Sequence, residues 1–139
     1  MKPRAFVAVA LLACVLVGCA NDQSVSNSAP AAKIEKIGSA QELKTVMDGN
    51  AVVIHALDRE HYAKGHVPGA VNVDYEKMTA EMLPADKATP LVFYCAGGGC
   101  PVSKMAANKA AKWGYKKVSV FEGGIKAWQS AGMAVATGE

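Results

Sequence analysis

Arginine is nearly missing from this chain of 139 residues. Of its 15 basic residues only Arg4 and Arg59 are arginines, so bidentate recognition of phosphate has little to draw on. With a formal net charge of only +3, nothing in the composition points to nucleic acid. Cysteines are few as well, four in all, and none forms a C-x-x-C pair, which removes thioredoxin-like exchange. The spacing from Cys95 to Cys100 is C-x4-C with no second pair in the same region, a poor zinc or copper framework, so neither metal nor cofactor is expected. Six residues after Cys95 stands Pro101 rather than the arginine with which a cysteine phosphatase or arsenate reductase would close on a dianion. Lys104, in "GGGCPVSK", is not preceded by glycine, so a phosphate-binding Walker loop is excluded too. The chain has no repeat at solenoid period, and its one long apolar run is short and rich in small residues for a membrane span.

That run sits at the N-terminus. "MKPR" followed by "AFVAVALLACVLVG" has the basic and apolar regions of a secretory signal. "LVGC", Leu16 to Cys19, is similar to the bacterial lipobox, which is cut before its cysteine; residues 1–18 then form the signal peptide and Cys19 becomes the lipidated first residue. Such an anchor places the protein in the cell envelope. Ala20 in place of an aspartate favours the outer membrane, facing the periplasm, in a Gram-negative source. Cys14 leaves with the signal and Cys19 carries lipid, so Cys95 and Cys100 remain as the free thiols, in a compartment that permits disulfides. Without Lys2 and Arg4 the mature chain holds 13 basic against 12 acidic residues, a net of +1.

Residues 19–32, lipidated cysteine and a small polar stretch, read as a tether reaching roughly 20 Å. Residues 33–139 have the length of one domain. "KIEKI" predicts a short strand; "SAQELKTVMD" opens with a capping box, Ser39 and Glu42, ahead of apolar Leu43, Val46 and Met47, and predicts a helix. "AVVIHAL" and "LVFYC" are continuous apolar runs suited to strands covered on both faces. A short helix in "DREHYAKG", strands in "AVNV" and "KVSVFE", and helices over residues 103–113 and 125–131 complete the pattern. Strands alternating with helices imply an α/β domain, a central parallel sheet of about five strands with helices on both faces. Ligands in such sheets bind beyond the carboxyl ends of the strands, where Cys95 falls.

"CAGGGCPVS", residues 95–103, concentrates the chemistry. Three glycines in a row are kept where a backbone must curl sharply or approach something closely. A cysteine at a strand end, ahead of a helix N-terminus, sits where unpaired amides and the helix dipole favour the thiolate, the nucleophilic form. If the loop of Ala96, Gly97, Gly98, Gly99, Cys100, Pro101, Val102 and Ser103 wraps around the sulfur, the amides of Gly97, Gly98, Gly99 and Cys100 can form an anion-binding nest.

Three stretches in order, "YAKGHVPGAVNV" at 62–73, "VFYC" entering a glycine-rich loop, and "GYKKVSVFEGGIKAW" at 114–128, resemble the rhodanese-like sulfurtransferase domain over about residues 33–136. The resemblance implies that Cys95 is the catalytic residue. It would take a sulfane sulfur as a persulfide from a donor such as thiosulfate or polysulfide and pass it to a thiol, another nucleophile or a partner protein. The loop is similar to a C-x-G-x-x-C-P-x-S variant among exported members. Two departures stand out: His55 and Leu57 occupy the places of a usual Asp and Arg, and eight residues rather than six, Cys95 to Val102, precede Ser103. Cys100 has two readings, a resolving thiol that displaces sulfide and closes a disulfide with Cys95, or an inert residue packed under the loop. His66 is mostly structural in the family; His55 fits either the rim of the site or the core, and His61 is expected in solvent. Two rival functions stay open, a thiol-disulfide oxidoreductase using Cys95 and Cys100, and a noncatalytic binding module on the same fold.

Overall fold

The computed structural model describes residues 32–139; the expected signal peptide, Cys19 and the expected tether up to residue 31 lie outside the described residues. Five strands, β1 (Ile34–Ile37), β2 (Val52–His55), β3 (Val71–Asn72), β4 (Leu91–Tyr94) and β5 (Val118–Phe121), form one sheet in the order β1-β5-β4-β2-β3, every pair parallel. Four helices alternate with them: α1 (Ala40–Asp48), α2 (Arg59–Lys64), α3 (Val102–Lys112) and α4 (Gly124–Ser130). The parallel sheet expected from the strand–helix alternation is therefore present, with five strands.

Both faces of the sheet are covered, which is why its inner strands lack polar alternation. Leu91, Phe93, Val118 and Val120 point to one side, where Ala106, Ala107 and Ala110 of α3 meet them; alanine lets this helix lie close on the strands. Val92, Tyr94 and Phe121 point to the other, against Leu43 of α1 and Trp128 of α4. Full burial of each such large apolar side chain contributes about 1.5–3 kcal/mol.

Local signals act with small offsets. Ser39 caps α1 by accepting from the Glu42 amide at 3.1 Å, but Glu42 Oε2 accepts from the Gly38 amide at 2.8 Å, one residue before the position that a capping box predicts. Asp58 caps α2 through the His61 amide at 3.0 Å. α3 begins at Val102 rather than Ser103, because Pro101 already adopts helical geometry (φ −81°, ψ −11°), and the loop is one residue shorter than the sequence suggests. A 3₁₀ turn at Ala80–Met82, which the apolar pattern did not signal, carries the chain from β3 towards β4.

The strand order matters for the site. The chain passes from β2 outward to β3, then returns to place β4 on the other side of β2, so strand order reverses between β2 and β4. At such a crevice the loops leaving the two strands diverge and open a binding position. His55 ends one of these strands and Cys95 follows the other.

Candidate active site

Cys95 is 1% exposed and sits directly below the glycine run. Gly97, Gly98 and Gly99 all have positive φ, 89°, 65° and 93°. Three successive left-handed residues curl the chain back over the sulfur, a path that residues with a Cβ resist. The loop leans on α4 while it turns. Cys95 and Ala96 carbonyls accept from the Ile125 and Lys126 amides at 3.0 and 3.4 Å, satisfying donors at the start of that helix. Gly97 and Gly124 meet there backbone to backbone: a Cβ on Gly97 would overlap the Gly123 carbonyl, and one on Gly124 the Cys95 carbonyl.

The nest differs from the one the sequence suggests. Burial pushes the Cys95 thiol up, but the Cys100 side chain, the Gly97 amide, and the Ser103 hydroxyl and amide outweigh it and hold the thiol below its ordinary value. Ser103 Oγ lies 3.5 Å from Cys95 Sγ. The amides that reach this sulfur thus come from the two ends of the loop, while Gly98 and Gly99 form an exposed crown. Pro101 offers no side-chain cap to α3, which leaves that helix's first donors free for sulfur. Cys100 is half-buried and its thiol is raised, by burial first and then by the neighbouring Cys95, although amides of Val102 and Ala96 donate to it.

This electrostatic arrangement predicts the pH dependence of Cys95. Alkylation followed on the peptide that carries Cys95 has its midpoint below the usual thiol range, and Ser103→Ala, which removes one donor to the sulfur, moves that midpoint upward. An unmoved midpoint would mean that Ser103 does not stabilise the thiolate.

Around the loop the surface is indented on both flanks. A cavity of about 170 Å³ lies between Ala96, His55, Leu57 and the α2 and α4 residues Lys64 and Gln129. Another of similar size is bounded by Gly99, Cys100, Pro101, Lys104 and Glu122. Glu122 joins Lys104 at 2.6 Å and Lys36 at 2.7 Å, and both ammonium groups hold its carboxyl below the ordinary range. This ion cluster escaped the sequence reading because its members are 68 and 18 residues apart on separate elements. Gly123 and Gly124 had a visible signal, a glycine pair straight after a strand, but nothing in sequence says that another strand's loop rests on it.

The three histidines separate. His66 is buried, stacked on Tyr62 with ring centroids 3.7 Å apart and Nδ1 2.9 Å from the Tyr62 carbonyl, while its backbone pairs with Ala136. His61 is exposed and pairs with Asp58. His55 is buried edge-on to Tyr94 and Tyr62. At the two positions where the resemblance implies an acidic and an arginine residue, Asn72 Nδ2 braces the exit of β2 by donating to the carbonyls of His55 at 3.2 Å and Leu57 at 2.7 Å.

Burial lowers His55 to about 4. Between about pH 6.5 and 4 the unfolded chain binds a proton that the folded site refuses, so the neutral ring's contribution is complete above pH 6.5 and declines as pH falls towards 4. Up to about 3 kcal/mol should be lost over that window. His55→Phe, compared with wild type by urea unfolding at pH 7 and 4.5, should show a smaller drop; equal drops would assign the acid sensitivity elsewhere.

Among the described residues no helix is long and apolar enough to cross a membrane, and no group of three His, Cys, Asp or Glu side chains could hold a metal ion.

Comparison with known proteins agrees with this architecture. The rhodanese-like domain profile matches residues 39–131. The thiosulfate sulfurtransferase GlpE of Ectopseudomonas mendocina is 28% identical over 92 residues, 66% of this chain and 83% of that protein. An HTH-type transcriptional regulator of Mycobacterium tuberculosis is 26% identical over 104 residues, 75% of this chain; the chain spans only 46% of the regulator's length. Among solved structures, a Bacillus halodurans protein superposes with a TM-score of 0.66 at 24% identity, over 74% of this chain and 77% of that one, a likeness of fold.

Proposed function

Since the chain belongs to the rhodanese-like domain family, we propose that it is a sulfurtransferase of the cell envelope in which Cys95 carries sulfane sulfur from a donor such as thiosulfate or polysulfide to a nucleophilic acceptor. One observation carries the reading: a buried strand-end thiol held below its ordinary value by the Cys100 side chain, loop amides and a serine hydroxyl. Donors that stabilise a thiolate also suit the terminal sulfur of a persulfide, which is likewise an anion. In the first step the Cys95 thiolate attacks the donor's sulfane sulfur; a sulfur–sulfur bond forms on Cys95, and the donor's bond breaks with its electron pair leaving on the residual group, sulfite where the donor is thiosulfate. In the second, an acceptor takes the outer sulfur and the Cys95 thiolate returns.

The test is intact mass after incubation with thiosulfate or with polysulfide. The expected result is a gain of one sulfur that reductant removes. No gain with either donor would favour a binding module, and loss of two hydrogens without sulfur gain would favour an oxidoreductase.

Anchoring is the second half of the proposal and rests on "LVGC" and the polar stretch after it. Cys19→Ser should abolish lipid labelling and release the protein from membranes, with sulfur transfer unchanged. A variant that still fractionates as an integral protein would mean that residues 5–17 remain as a span.

A further inference from the structure

We infer that Cys100 is a second persulfide carrier, which takes the sulfane sulfur from buried Cys95 and presents it to acceptors at the surface. The inference rests on the sulfurtransferase reading above and adds the route by which sulfur leaves. Its first ground is access. Cys95 lies under the loop at 1% exposure, whereas Cys100 is half-buried and lines the cavity with Gly99, Pro101, Lys104 and Glu122. A bulky thiol can approach Cys100 through that cavity without opening the loop; to reach Cys95 it would have to displace the crown.

The second ground is that the loop serves both sulfurs. Cys95 Sγ lies 3.5 Å from the Cys100 carbonyl oxygen, so the two residues are neighbours across the curl. Gly97 and Ser103 direct amides at Cys95, while Ala96 and Val102 direct theirs at Cys100. The four donors alternate along the chain at each end of the loop, as two interleaved anion sites require. An inert cysteine packed below the loop would need no such pair. The backbone path that makes this possible depends on the three left-handed glycines, which bring position 100 back beside position 95.

The step balances without an added oxidant or reductant. The Cys100 thiolate attacks the outer sulfur of the Cys95 persulfide. The new bond joins Cys100 Sγ to the sulfane sulfur, and the bond from that sulfur to Cys95 Sγ breaks with its electron pair staying on Cys95. The proton given up by Cys100 is left with the Cys95 sulfur or with solvent. Oxidation states exchange between the two cysteines and no sulfide is released. The opposite displacements of the two thiols favour this direction: the one held low is the better leaving group, and the one raised is the stronger nucleophile once ionised. Attack on the inner sulfur would instead release sulfide and close a disulfide, for which Cys95 and Cys100 would have to approach bonding distance across a loop stiffened by Pro101.

The experiment uses the full chain with Cys14→Ser and Cys19→Ser, so that Cys95 and Cys100 are the only thiols. After brief loading with polysulfide and rapid alkylation, tandem mass spectrometry of the peptide spanning residues 88–104 locates the added sulfur. The relay predicts sulfur on both cysteines, and on Cys95 alone when Cys100→Ser is added. That variant should load more slowly, because the Cys100 side chain helps to hold the Cys95 thiol low. Once loaded to the same extent, it should pass sulfur to glutathione more than tenfold more slowly, relative to cyanide, small enough to reach under the loop, than its parent does. Sulfur confined to Cys95 in the parent, with glutathione served equally fast, relative to cyanide, by the loaded Cys100→Ser variant, would overturn the relay and leave the sulfurtransferase reading intact. A Cys95–Cys100 disulfide with stoichiometric sulfide release would also overturn it. Failure of both proteins to gain any sulfur would remove the sulfurtransferase reading, and the relay with it.

Discussion

Cys95→Ser is expected to gain no sulfur from thiosulfate or polysulfide and to lose turnover by about a thousandfold or more, while remaining folded. Serine oxygen is nearly always protonated at neutral pH, so the donor meets no anion. A loss of that size corresponds to about 4 kcal/mol in the barrier. The stability cost should be small, about 1 kcal/mol, because the replacement hydroxyl inherits polar neighbours: the Cys100 carbonyl and Ser103 Oγ both lie 3.5 Å from the sulfur. A buried hydroxyl with partners avoids most of the desolvation penalty of an unsatisfied one. Loading that persists at Cys100 in this variant would show that Cys100 can be charged directly by the donor. Undiminished turnover would remove Cys95 from the mechanism altogether.

Much of this arrangement was legible before any coordinates, and the reasons differ from place to place. The strands could be read because Val52–His55 and Leu91–Tyr94 are almost wholly apolar, a pattern that parallel strands covered on both faces impose. Cys95 could be placed at a strand's carboxyl end for the same reason. The loop's internal wiring could not be read. Glycines announce that the backbone turns, but not which amides end up at the sulfur, and the amides that do reach it belong to Gly97 and Ser103 rather than to the crown. His55 was open between rim and core; its 1% exposure and its two aromatic neighbours put it in the interior, while its ring still borders the cavity beside Ala96. Asn72 is a case where sequence offered no signal at all: a single polar residue in a two-residue edge strand acquires its role only from the two carbonyls that the end of β2 exposes to it. Contacts fixed by tertiary approach, such as Glu122 with Lys36 and Lys104, belong to the same class.

The glycine run itself can be dissected, since its three members have the same sign of φ but different surroundings. Gly98, at φ 65°, has nothing near the position of a Cβ, so Gly98→Ala should cost only the left-handed backbone strain, about 1–2 kcal/mol. Gly97, at φ 89°, carries the same strain and a collision as well, because its Cβ would enter the Gly123 carbonyl. That neighbour is backbone at the start of α4 and cannot rotate away. Relief requires the loop and α4 to part, breaking the hydrogen bonds from Ile125 and Lys126 to the Cys95 and Ala96 carbonyls. Overpacking of this kind adds about 1–3 kcal/mol. Gly97→Ala should therefore be the more damaging change by about 2 kcal/mol in urea unfolding. It should also harm chemistry selectively: as the Gly97 amide moves off the sulfur, the alkylation midpoint of Cys95 should rise and persulfide loading should fall at least tenfold, whereas Gly98→Ala should leave both near wild type. Equal effects of the two substitutions on stability and on the Cys95 midpoint would mean that the crown, rather than the contact between the loop and α4, holds the thiolate in place.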